Sequence, residues 1–187
     1  MKAYQDASLA PVRRAKALLE EMTLAEKIGQ LNQRLYGFRI YERKCVNGED
    51  TIELSEEFCQ EVEKYSGLGV LYGLYRADPW ADKNYETGLT GVLSKKAYNQ
   101  VQRYVLEHSR LGIPVMMSSE CPHGHQALDG YLLPVNLLAG ATFDPAMVRA
   151  AYRVSGRQLQ NMGVDLALMS MLDVLRDPRW GRSEECY

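Results

Sequence analysis

Apolar residues recur with a helical period near the start of the chain. Val12, Ala15, Leu18 and Leu19 fall on one side and Arg13, Arg14, Lys16 and Glu20 on the other, which predicts a helix over 11–21. Thr23-Leu24-Ala25-Glu26 has the spacing of a capping box, with the Thr23 hydroxyl placed to meet the Glu26 amide and Glu26 reaching back, so a second helix starts there and continues through Ile28 and Leu31. The period is then lost. Around 35–51, Tyr36, Phe38 and Tyr41 lie among Arg34, Arg39, Glu42, Arg43 and Lys44, a pattern open to a hairpin or a loop. Its rings either pack on the body of the protein or edge a pocket, where an aromatic face can stack on a sugar. Ser55 then reads as the N-cap of a helix carrying Phe58, Val62 and Tyr65 on one face and ending by Gly67.

From Gly67 onward short apolar runs alternate with amphipathic helices. Residues 67–73 read as a first buried strand, with Tyr75, Arg76, Asp78 and Trp80 in its exit. A helix over 95–109 groups Ala97, Val101, Tyr104, Val105 and His108 near one face. A second strand over 113–119 delivers Glu120, Cys121, Pro122, His123, Gly124 and His125 at its end. Asp144 and Pro145 open the next helix as N-cap and first residue, with Val148, Ala151, Leu159 and Met162 inward and Gly163 as the stop. In the third run, 164–172, only Asp165 and Ser170 interrupt the apolar character, as expected of an inner parallel strand covered on both faces. Strand, helix, strand, helix, strand is the order of a parallel sheet with right-handed crossovers. The expected organisation is α/β, with a helical and irregular lead-in over 1–66 and three strand-and-helix units over 67–187 in a single domain.

Directly after the third strand, Asp173, Arg176, Asp177, Arg179, Arg182, Glu184 and Glu185 crowd around Pro178 and Trp180. Ligands of parallel α/β proteins meet the carboxyl ends of the strands, so this cluster and Glu120 are where chemistry is expected. Charge narrows the ligand. With 22 Lys and Arg against 24 Asp and Glu the net charge is −2, which gives no general attraction to nucleic acid or an anionic membrane and suits a neutral substrate such as a sugar. Residues 1–16 lack the apolar run of a secretory signal, and no stretch approaches the roughly 20 apolar residues of a membrane span, so a cytoplasmic protein is expected. Cys45, Cys59, Cys121 and Cys186 are far apart and form no metal-type spacing with histidine, which points to four reduced thiols and neither disulfides nor structural metal.

Leu172-Asp173-Val174, then Arg176-Asp177-Pro178-Arg179-Trp180-Gly181-Arg182 and Glu185, resembles the signature after the third barrel strand of family 3 glycoside hydrolases, mostly β-glucosidases and related exo-acting β-glycosidases. Scattered motifs carry the likeness from Met22 to Tyr187: the lead-in helix 22–31, Asn99, Ser109-Arg110-Leu111-Gly112-Ile113-Pro114, Leu133-Pro134-Val135-Asn136 and Thr142-Phe143-Asp144-Pro145. Phe143 stands where Trp is commoner in the family, and Glu120 where Asp is commoner.

The resemblance implies the N-terminal portion of a TIM-type (β/α)8 barrel, whose full form takes about 250 residues. It implies hydrolysis of terminal β-linked glucosyl or similar residues by retention, in which an Asp attacks the anomeric carbon and a separate acid protonates the leaving oxygen. Both of those groups are expected beyond Tyr187, leaving no catalytic residue in this chain and no turnover by it alone. Within the chain the resemblance assigns sugar hydroxyls to Glu120, whose ionised fork can accept from two adjacent hydroxyls, and to the donor fork of Arg182. Arg179 is expected to anchor the loop to Asp173 or Asp177, Glu185 to support Arg182, and His123 to bond backbone and fix the turn beneath Glu120. The substrate class is a β-glucoside or oligosaccharide, with xylosidase and N-acetylglucosaminidase specificities open and no cofactor. An unpaired edge on the third strand would invite association with another chain.

Two other classes compete. One is a non-catalytic sugar-binding or structural remnant of the fold. The other is a metal-dependent, amidohydrolase-like hydrolase using Glu120, His123 and His125. Against the latter, those enzymes carry their histidine pair at the first strand, and no third histidine follows here. The chain contains no serine nucleophile elbow, P-loop or dinucleotide fingerprint.

Overall fold

A computed structural model describes residues 2–169 and 171–187. The capping box closes as its spacing predicts. Thr23 Oγ1 accepts from the Glu26 amide at 3.3 Å and Glu26 Oε2 accepts from the Thr23 amide at 2.8 Å, starting α2 (Leu24–Leu31) just after α1 (Pro11–Glu21). The apolar side of α1 does not enter the core: Val12 and Leu19 are exposed, and no residue of α1 is buried.

The irregular segment is a hairpin. Strands β1 (Tyr41–Val46) and β2 (Glu49–Leu54) pair antiparallel through a two-residue turn at Asn47-Gly48, both in the left-handed region with φ 53° and 81°. Its aromatic residues divide: Phe38 and Tyr41 are buried in the core, and Tyr36 is partly exposed. Ser55 caps α3 (Glu56–Tyr65) by accepting from the Phe58 amide at 3.3 Å.

The strand-and-helix part runs β3 (Val70–Tyr72), α4 (Gly91–Glu107), β4 (Met116–Cys121), the short α5 (Asn136–Gly140), α6 (Pro145–Asn161) and β5 (Leu166–Met169). The three strands lie in sequence order β3-β4-β5 and both pairings are parallel. Asp165 sets the register of β5, since its amide donates to the Met117 carbonyl at 2.8 Å and its carboxylate accepts from the Met117 amide at 2.9 Å.

One face of this sheet is buried. Leu71 and Met117 join Phe58 and Val62 of α3 and Ala97, Val101 and Val105 of α4 in a single core that extends to Ile40, Tyr41 and Ile52 of the hairpin. The alternate face is open, with Met116 45%, Leu166 40% and Leu168 37% exposed. The third strand is thus apolar on both faces, as the sequence indicates, but it is a half-covered edge strand of four residues rather than a run buried on both sides. The reason is that β5 has a neighbour on one side only among the described residues, and Leu172 beyond it is 91% exposed. Ser170, the second polar interruption of that run, lies outside the described residues.

Candidate functional site

The parallel register sets Tyr72, the last residue of β3, beside Ser118, so Tyr72 and Glu120 emerge as diagonal neighbours at the carboxyl ends of adjacent strands. The Tyr72 hydroxyl donates to Glu120 Oε1 at 2.5 Å. Arg76, four residues past Tyr72, reaches the Tyr72 hydroxyl oxygen through Nη1 and lies 3.4 Å from Glu120 Oε1. Its Nε donates to Asp78 Oδ2 at 2.7 Å and its Nη2 lies 2.5 Å from the same oxygen, and the Trp80 ring covers the guanidinium at 4.5 Å from the centroid. Trp80 also meets Tyr36 edge to face at 5.0 Å, so two partly exposed rings stand beside the charged strand ends. Burial, then the Glu120 bond and its charge, push the Tyr72 phenol well above the usual tyrosine range and keep it a donor.

Beneath Glu120 the turn is held by His125 rather than by His123. The His125 ring is fully buried, exchanges a hydrogen bond with Ser119 Oγ through Nε2 at 2.9 Å and meets Tyr75 edge to face. Burial lowers its pKa to about 4, so it is neutral near pH 7. His123 contributes its backbone, whose carbonyl accepts from the Leu133 amide at 2.8 Å. The physical reason is burial: the His125 side chain is shut away from solvent, whereas His123 is partly exposed.

The charged excursion after β5 is a closed loop. The Tyr187 amide donates to the Asp173 carbonyl at 3.0 Å and the Leu175 amide to the Tyr187 carbonyl at 3.1 Å. Fully buried Asn136 of α5 donates to the Glu185 carbonyl at 2.7 Å and accepts from the Tyr152 hydroxyl of α6 at 2.6 Å, fastening the loop to the helical layer. Within it Arg179 grips Asp177, Nε to Oδ1 at 2.9 Å and Nη2 to Oδ2 at 2.5 Å, so of the two acids expected for it Asp177 is the partner and Asp173 serves through its backbone. Arg182 forms a fork-to-fork pair with Glu185, Nε to Oε1 at 2.9 Å and Nη2 to Oε2 at 2.7 Å.

Glu120 and Arg182 do not bond to each other, yet they face the same end of the sheet. The bond and charge of Glu185 raise the Arg182 pKa first, and the Glu120 charge adds to them. The site therefore presents an anionic and a cationic fork, each held by its own neighbour, with aromatic rings alongside. Such a set can bind a neutral polyol through charge-assisted hydrogen bonds. Tyr72 and Arg76 were not foreseen as members. Their one sequence signal was placement at the exit of the first strand. A separate cleft of about 730 Å³ between α4 and the end of α6 has Ser94, Tyr98, Asn99 and Gln158 in its walls and none of the forks described here. Among the described residues no group of three or more His, Cys, Asp and Glu converges as metal ligands would, and no helix is long and apolar enough to cross a membrane.

Known proteins resemble this chain in sequence and fold. The sequence profile described as the glycosyl hydrolase family 3 N terminal domain matches residues 23–187. A putative beta-xylosidase of Formosa agariphila is 30% identical over 186 residues, covering 100% of this chain and 22% of that protein. A periplasmic beta-glucosidase of Salmonella typhimurium is 28% identical over 170 residues, covering 91% of this chain and 18% of that protein. Among solved structures, a β-glucosidase from Erythrobacter marinus superimposes with a TM-score of 0.72 at 28% identity, over 99% of this chain and 22% of that one. The chain thus spans about a fifth of the length of these relatives.

Proposed function

The chain belongs to glycosyl hydrolase family 3, as its N-terminal barrel portion, and on that premise we propose that it supplies part of the sugar-binding half of a β-glycosidase site. The observation that carries the reading is that Glu120 and the loop bearing Arg182 leave the carboxyl ends of adjacent parallel strands, β4 and β5. A glucosyl unit offers several hydroxyls and an apolar ring face. Glu120 accepts from a hydroxyl, Arg182 donates to a ring substituent, and the Trp80 and Tyr36 rings provide apolar surface at the rim. Arg179 and Asp177 stiffen the loop that carries Arg182, and Glu185 fixes the plane of its guanidinium.

The substrate class is a terminal β-linked glucoside or xyloside, since the relatives carry both names. The reaction is hydrolysis with retention, and this chain contributes grip and orientation to it. The displacement itself requires a carboxylate nucleophile and an acid that the reading does not assign to any of these residues. Calorimetric titration with glucose tests the proposal on the chain and on Glu120→Ala. Measurable binding is expected in the first, and a loss of about tenfold or more in the second, the equivalent of one charge-assisted hydrogen bond. Equal affinities, or none in the native chain, refute it. Release of nitrophenol from an aryl β-glucoside by the chain alone would also contradict the division of roles.

A further inference from the structure

A carboxylate free at a strand end would swing among rotamers and offer both oxygens. Glu120 does neither. All the hydrogen bonds of its carboxylate among the described residues fall on Oε1, from the Tyr72 hydroxyl at 2.5 Å and from Arg76 Nη1 at 3.4 Å. Arg76 is itself immobilised, since its side chain is 14% exposed, lies under Trp80 and is bonded by Asp78, whose Oδ1 in turn accepts from the Ala81 amide at 2.8 Å. The links Ala81, Asp78, Arg76, Tyr72 and Glu120 form one continuous chain of donors and acceptors rooted in the backbone of the first strand's exit. Two donors occupy the lone pairs of Oε1, which leaves Oε2 alone with acceptor capacity to spare.

We propose that Tyr72 and Arg76 are positioning residues of the sugar site: they lock Oε1 of Glu120 and present Oε2 as the one carboxylate oxygen available to the ligand. This rests on the saccharide reading of the site. It follows that a sugar hydroxyl reaching Glu120 is received by Oε2, and is not shared between the two oxygens as an unrestrained carboxylate fork would allow. The ordering cost of Glu120 is met in the unliganded protein, which is how preorganisation raises affinity without adding a contact to the ligand.

Two measurements test this on the chain. The first is glucose affinity by calorimetry in the native chain, Tyr72→Phe, Glu120→Ala and the double variant. Tyr72→Phe should weaken glucose about tenfold in the native background and have no effect once Glu120 is gone, because its action passes through that carboxylate. An equal Tyr72→Phe loss in both backgrounds overturns the proposal.

The second measurement needs no sugar. With tyrosine labelled at the phenolic carbon, the NMR titration midpoint of Tyr72 should fall in Glu120→Gln, a change that a merely structural role for Tyr72 would not produce. An unshifted midpoint with glucose still bound overturns the positioning link and leaves the sugar site standing. A shifted midpoint without glucose binding by the native chain upholds the link and removes the saccharide reading instead.

Discussion

Replacing Glu26 by Gln tests whether the lead-in helix is clamped to the strand-and-helix part by one buried carboxylate. Glu26 is 4% exposed and accepts from Arg110 Nε at 2.9 Å and Nη2 at 2.7 Å, besides accepting from the Thr23 amide and hydroxyl. Arg110 lies 84 residues away in the turn before β4 and also donates to the Glu21 carbonyl at 2.7 Å. The Arg110 bonds, opposed by burial and helped by Thr23, hold the Glu26 pKa at about 2 against an ordinary 4.5. At 1.36 kcal/mol per pH unit that difference corresponds to roughly 3.4 kcal/mol, a ceiling because the Arg110 side chain is 47% exposed and water screens the pair. About 2 kcal/mol is the working figure, in line with one strong charged hydrogen bond.

The direction with pH follows from the sign of the shift. The folded pKa is depressed, so the stabilisation is complete above the unfolded value of 4.5 and drains away as pH falls towards 2. Urea unfolding followed by circular dichroism at pH 7 and pH 3 reads both effects. At pH 7 Glu26→Gln should unfold at lower denaturant, by about 2 kcal/mol with an unchanged slope, and by pH 3 the gap should have narrowed. Equal midpoints at pH 7, or a gap that persists undiminished to pH 3, would refute the clamp.

Three further outcomes are expected. His125 should remain neutral far below the usual histidine range, to about pH 4, with stability lost as pH falls from 6.5 through that value because the unfolded chain binds the proton first; histidine NMR coupled to denaturation measures both. Gly69→Ala should cost about 3 kcal/mol, since a methyl there would overlap the Gln30 carbonyl while the Gly69 amide donates to the Gly29 carbonyl at 3.1 Å; a melting temperature equal to the native one would contradict the close approach. The open edge of β5 and the half-exposed Leu166 and Leu168 should make the mass in light scattering rise with concentration, and a clean monomer throughout would count against it.

What the sequence made legible was local. The Thr23 to Glu26 box, the Ser55 cap and the Asp144-Pro145 start all formed where their spacing placed them, because a cap is decided within three or four residues. The order of strands followed from alternation along the chain. The hairpin stayed open against a loop, because the irregular aromatic spacing obscured Asn47-Gly48, the dipeptide whose two positive φ angles fit the twist of paired strands. The burial of α1 and of the third strand was not legible, because periodicity shows which face is apolar and not whether anything covers it. Contacts across 44 to 84 residues, Arg76 to Glu120 and Arg110 to Glu26, leave no trace in any window of the chain.

The separation of Glu120 from Arg182 bears on how such a site works. Had the two forks met, they would have neutralised one another and left few groups to recognise a neutral ligand. Instead each is saturated on one side by a local partner: Glu120 on Oε1 by Tyr72 and Arg76, Arg182 on Nε and Nη2 by Glu185. The partners fix direction, and the unused oxygen of one and the unused amine of the other keep their bonding capacity. A polyol meeting both would receive an acceptor from one and a donor from the other without either having to break an ion pair, an arrangement that favours binding by groups already held in place.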